Sequence, residues 1–126
     1  MGTPTDPADL NDQWCRAFNE GDLARLVQMY EPDAVLVPAP GAEPLRGHTA
    51  IEAALDAFLA LGGSLRFSPR HWLVHGDIAL GSITFELDGA HDSDGAPLAL
   101  HGTTAEVVRR QPDGSWKYVV DHPFAG

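Results

Sequence analysis

Apolar residues recur at helical spacing through the first half of the chain and at strand spacing through the second. Asp6 can accept hydrogen bonds from the first free amides of a helix, and Pro7 suits its first turn. Leu10, Trp14, Ala17 and Phe18 then line one face, and Gly21 ends the helix. Asp22 caps a second helix, in which Leu23, Leu26, Val27 and Tyr30 fall at i, i+3, i+4 and i+7, until Glu31-Pro32-Asp33 breaks it. Residues 34–37 are a short β run, and the prolines and glycines of residues 38–47 predict a loop. Thr49 and Glu52 form a capping box for a third helix, with Ile51, Leu55, Phe58 and Leu59 as its buried stripe and Gly62-Gly63 as its stop.

From there the period becomes two. Residues 65–75 and 78–88 predict a hairpin that turns at Gly76-Asp77, followed by an acidic loop over residues 89–97. Residues 98–110 and 115–122 predict a second hairpin, with Gln111-Pro112-Asp113-Gly114 as its turn. A tight turn there pairs Arg110 with Ser115, Glu106 with Val119 and Thr104 with Asp121, so that Thr104, Glu106, Val119 and Asp121 share a face. The order α-α-β-α-β-β-β-β predicts an α+β fold, a cone-shaped roll. Its strongly bent, mostly antiparallel sheet packs on three helices and leaves a hollow.

Length and charge narrow the function. A chain of 126 residues is expected to form one domain over residues 1–126, with residues 1–5 as a flexible lead. The hydrophobic fraction of 44% and charged fraction of 21% are those of a globular protein. Eight Lys and Arg against 18 Asp and Glu leave a net charge of -10, which argues against nucleic acid or an anionic membrane as a partner. No segment approaches the roughly 20 apolar residues of a membrane span. Residues 1–6 lack the apolar stretch of a signal peptide, and Asp6 stands where N-myristoylation requires Ser or Thr. A cytoplasmic protein is expected. Cys15 is the only cysteine, so no intrachain disulfide and no Cys-rich zinc site can form.

Glu106 interrupts Thr103-Thr104-Ala105-Glu106-Val107-Val108, otherwise a plausible buried strand. On the concave face of the sheet, Glu106 and Asp121 could split their pKa values, one staying protonated and one ionised. On the outer face they would be solvated or meet a partner subunit, and both placements stay open. Asp121 and His122 are adjacent in a strand and point to opposite faces, so they are no preformed dyad. His71 and His75, four apart in a strand, stand about 13 Å from each other. Asp92 and Asp94 before Gly95 match part of a calcium loop, but Ala90 and His101 fall where carboxylates are needed. No metal and no cofactor is expected. There is no Gly-Xaa-Ser-Xaa-Gly elbow and no phosphate-binding glycine loop with lysine.

Several segments resemble the nuclear transport factor 2-like superfamily, which includes ketosteroid isomerases and SnoaL-type polyketide cyclases. They are Trp14-Cys15-Arg16-Ala17-Phe18-Asn19-Glu20-Gly21-Asp22, Asp33-Ala34-Val35-Leu36-Val37, Leu45-Arg46-Gly47-His48-Thr49-Ala50-Ile51 and the turn from Arg109 to Lys117. The ending from Trp116 to Phe124 is most similar to the small bacterial SnoaL-like branch. Set against the ketosteroid isomerases, the resemblance puts Trp14 at the position of their donor tyrosine. It puts Pro38 at that of their base and Glu106 at that of their protonated acid. Proline takes no proton, so steroid isomerisation by that mechanism is not expected.

The resemblance implies a small-molecule pocket protein that binds a small apolar ligand. In its enzymatic form it is an isomerase-, cyclase- or hydratase-type acid–base enzyme on an apolar carbonyl or cyclic substrate. Glu106 and Asp121 are then the catalytic candidates, and Trp14, Tyr30 and Trp72 the ligand-binding walls. The alternatives are a non-catalytic metabolite-binding module and a structural dimerisation domain. All three expect a homodimer, because an open apolar sheet face must be covered.

Overall fold

The computed structural model describes residues 5–125. Of the flexible lead expected over residues 1–5, all but Thr5 therefore lies outside the described residues. The first helix, α1 (Pro7–Glu20), begins where the Asp6 side chain accepts from the amide of Asp9 at 2.7 Å. It ends at Gly21, whose φ of 71° is one a side chain would resist. Leu10, Trp14, Ala17 and Phe18 are buried. The second helix, α2 (Leu23–Gln28), is shorter than the apolar spacing predicts. The amide of Tyr118 donates to Met29 O at 2.8 Å and draws the chain into the sheet, so Tyr30 opens strand β1 (Tyr30–Leu36) instead of closing a helix. Pro32 lies where β1 slips register, so its missing N–H removes no ladder bond.

Two further expectations change. The loop over residues 38–47 contains a two-residue strand, β2 (Leu45–Arg46), paired with Val35 and Leu36. The capping box at Thr49 and Glu52 does not form, because α3 (His48–Ala60) starts before it with Gly47 as cap and no side-chain cap bond. Gly47, at φ 88°, sends its amide to Ala34 O at 2.9 Å, and that tether sets the helix start.

The rest of the chain is sheet. The long hairpin of β3 (Ser64–His75) and β4 (Ile78–His91) turns at Gly76-Asp77 as predicted. The run over residues 98–110 is not one strand but two, β5 (Pro97–Thr103) and β6 (Ala105–Arg110), divided at Thr104. Residues 78–81 of β4 pair with β6, and residues 84–91 of β4 pair with β5. The partner changes at Thr104, which bonds Ile83 twice, once through its amide and once through Oγ1. This switch bends the sheet. The last strand, β7 (Trp116–His122), joins β6 antiparallel and β1 parallel, giving the order β2-β1-β7-β6-β4-β3 with β5 beside β4. The three helices fill the concave side, where Leu10, Leu26, Ile51, Leu87 and Val108 are fully buried. Truncating such a leucine to alanine costs about 2–5 kcal/mol.

Candidate functional site

The β6–β7 register decides where the two carboxylates go. The turn is one residue longer than predicted, so Arg110 pairs with Trp116, not Ser115. A bulge then makes Val119 an extra residue, with Val108 opposite Tyr118 and Val107 opposite Val120. Glu106 therefore faces Asp121 directly, where a tight turn would have set it against Val119. Without the bulge Tyr118 and Asp121, three apart, would point to opposite faces. With it both are buried on the concave side.

The buried pair opens onto a cavity of about 40 Å³, the space open to the centre of a water molecule. That is room for about three waters. Its apolar walls include Trp14, Leu65, Ile83 and Phe85, and the half-buried Phe58, Phe67 and Pro123 are its most exposed lining. Asn11, Thr104, Glu106, Tyr118 and Asp121 supply its polar groups.

Each polar group is held. Thr104 Oγ1 donates to Glu106 Oε1 at 2.7 Å, while Glu106 Oε2 is buried without a partner. Tyr30 Oη donates to Asp121 Oδ2 at 2.6 Å and accepts from Trp14 Nε1 at 3.1 Å. Tyr118 Oη donates to Asn11 Oδ1, leaving Asn11 Nδ2 buried and unpartnered. Burial and the neighbouring Asp121 charge push Glu106 up to about 8. Burial pushes Asp121 up to about 6, against the pull of the Tyr30 hydroxyl. Around neutral pH the pair shares one proton and carries one charge, and the larger rise at Glu106 favours the proton there. Such a site can give a proton from one side and take one on the other.

Of the sequence candidates, Trp14, Glu106 and Asp121 line the cavity. Tyr30 sits behind Asp121 and orients it without lining the space. Trp14, in the donor-tyrosine position, spends its N–H on Tyr30 and offers the cavity its ring. Trp72 is not among the lining residues. A shift in β3 between Pro69 and His71 sets it opposite Gly81, and its ring covers the space a Cβ there would take. Trp72, Gly81, Glu106 and Asp121 thus form one row across four strands. Pro38 does not line the cavity. Asn11 was missed, although it stands at i, i+3, i+7 with Trp14 and Phe18 on the buried face of α1. A polar residue in that stripe was its signal. Among the described residues no three His, Cys, Asp or Glu cluster as metal ligands, and no helix is long and apolar enough to cross a membrane.

This arrangement can be set beside known proteins. The sequence pattern of the SnoaL-like domain family matches residues 12–119. The chain belongs to the SnoaL-like domain family. Solved structures agree on the fold of this SnoaL-like chain, which is nuclear transport factor 2-like and cystatin-like. A ketosteroid isomerase-like protein from Erwinia carotovora atroseptica superposes with a TM-score of 0.72 at 19% identity, covering 90% of this chain and 88% of that one. The epoxide hydrolase/cyclase-like enzyme SalBIII, of pyran ring formation in salinomycin, gives 0.66 at 18% identity over 94% of this chain and 89% of its own. In sequence, the epoxide hydrolase LasB of Streptomyces lasalocidi is 32% identical over 93 residues, 73% of this chain. The match spans only 31% of that enzyme's length.

Proposed function

We propose that this SnoaL-like domain is an acid–base enzyme that opens a strained cyclic ether, an epoxide, by attack of water or of a hydroxyl in the same substrate. The observation that carries the reading is the buried pair Glu106 and Asp121, opposed across two strands at one apolar cavity, with Glu106 Oε2 unpartnered. Glu106 gives its proton to the ring oxygen as the C–O bond breaks. Asp121 takes the proton of the attacking hydroxyl as the new C–O bond forms. Glu106 ends charged and Asp121 neutral, and exchange with solvent resets the pair. The identity to LasB supports this chemistry over steroid isomerisation. The cavity is small, so only the reacting end of a substrate enters it, with Phe58 and Phe67 against the remainder.

The test uses 1,2-epoxyhexane in ¹⁸O-water. The expected product is singly labelled diol, and Glu106→Gln or Asp121→Asn should slow its formation by about 10²–10⁴. Equal rates in wild type and both variants would remove the enzymatic reading and leave a ligand-binding module.

A homodimer is part of the proposal. Leu73, Leu80, Val107 and Val120 form a second apolar row on the outer face of the sheet. Leu73 is 63% exposed and Leu80 45%, and a second copy of the chain would cover them. A reducing, cytoplasmic setting suits the single free Cys15.

A further inference from the structure

Three buried side-chain atoms among the described residues lack a hydrogen-bond partner: Asn11 Nδ2, Arg25 Nε and Glu106 Oε2. Arg25 bonds Gln13 away from the cavity, but the other two belong to residues that line it. Native proteins rarely leave buried polar atoms unpaired, so two at one small cavity fit an acceptor atom supplied from outside the chain. Asn11 is 4% exposed and Glu106 3%. Both are oriented from behind, Asn11 by the Tyr118 hydroxyl on Oδ1 and Glu106 by the Thr104 hydroxyl on Oε1. Each therefore turns its free atom away from its support.

We propose that Asn11 Nδ2 and Glu106 Oε2 together hold a single oxygen atom of the ligand, making Asn11 a specificity residue for carbonyl or cyclic-ether oxygen. The inference rests on reading this cavity as a ligand site. Asn11 adds a neutral donor that keeps its hydrogens at every working pH. It keeps the oxygen in place as the Glu106 proton moves, and it rejects an isosteric hydrocarbon that would leave both donors unmet.

The probes are cyclopentanone and cyclopentene, one with the acceptor oxygen and one without. In wild type, the ¹⁵N–¹H resonances of the Asn11 side chain should shift on adding cyclopentanone and stay still with cyclopentene. Asn11→Leu should weaken cyclopentanone about tenfold, the loss of one such hydrogen bond, and should bind cyclopentene at least as well as wild type does, since the unmet donor is gone. An unshifted Asn11 amide, equal weakening of both probes, or binding of neither by wild type overturns the proposal. The amide resonances read it in the unaltered protein, independent of how well the variant folds. Absence of epoxide turnover counts against the proposed reaction alone, since no turnover enters this readout.

Discussion

Replacing Glu106 with glutamine should change how the stability of the protein depends on pH, and in a direction opposite to ordinary carboxylates. Glu106 titrates near 4.5 when unfolded and is pushed to about 8 in the fold. Its folded pKa lies above its unfolded one, so the folded state binds the extra proton. The stability this confers is complete below about pH 4.5 and is lost as pH rises to about 8. At about 1.36 kcal/mol per pH unit, the whole span corresponds to roughly 5 kcal/mol, an upper bound because water entry and relaxation soften it. Glutamine keeps the acceptor for Thr104 and a donor at the other atom but cannot ionise. Urea unfolding of both proteins at pH 5, 7 and 9 isolates the effect, because every other titrating group is common to the two. The glutamine protein should gain on wild type by at least about 2 kcal/mol between pH 5 and pH 9. A difference that stays constant within about 0.5 kcal/mol would mean that Glu106 is solvated and ordinary, and the buried pair would fall with it.

Three other perturbations probe the supports of the site. Tyr30→Phe removes the hydroxyl from Asp121 Oδ2, so the Asp121 pKa should rise above about 6 and stability should drop by about 1–3 kcal/mol; carboxyl ¹³C titration and unfolding check both. In the epoxide assay, the pair predicts a bell-shaped profile with limbs near 6 and 8, and Tyr30→Phe should move only the lower limb upward. Gly81→Ala puts a Cβ into the Trp72 ring and should cost about 1–3 kcal/mol, with a change in tryptophan fluorescence. Leu80→Asp should convert a dimer to a monomer in sedimentation while leaving the cavity intact; a wild type that sediments as a monomer at micromolar concentration refutes the dimer itself.

The periodicity of apolar residues made α1 and the long hairpin legible, because α1 buries the face that its pattern marks and β3 and β4 pair with each other directly through the turn at Gly76-Asp77. What it could not show were tertiary irregularities. Tyr30 has helical spacing, yet the Tyr118–Met29 bond claims it for the sheet. Residues 98–110 read as one strand because a change of partner at Thr104 leaves no trace in alternation. The pairing of Glu106 was off by two because a longer turn and a bulge each added a residue, and two such additions preserve the face. Asn11 is legible only as a polar residue within the apolar stripe of α1, and periodicity by itself does not say that its side chain is buried.

The irregularities gather around the carboxylates, and one physical reason connects them. A regular antiparallel ladder would pair Glu106 in a dry strand with no polar group at hand to bind it. Breaking the run at Thr104 frees a hydroxyl, which then accepts from Ile83 and donates to Glu106, so the residue that bends the sheet also supports the acid. The bulge at Val119 brings Asp121 to the face of Tyr118, where Tyr30 can reach it. Gly81, between Trp72 and Glu106 in the same row, leaves room for an indole where any side chain would collide. Each departure weakens the sheet locally. Together they create a curved wall on which one carboxyl can remain protonated beside an ionised one. Fold and chemistry thus share their determinants here, and substitutions at Thr104 or Gly81 should alter the Glu106 titration even though neither residue carries a charge.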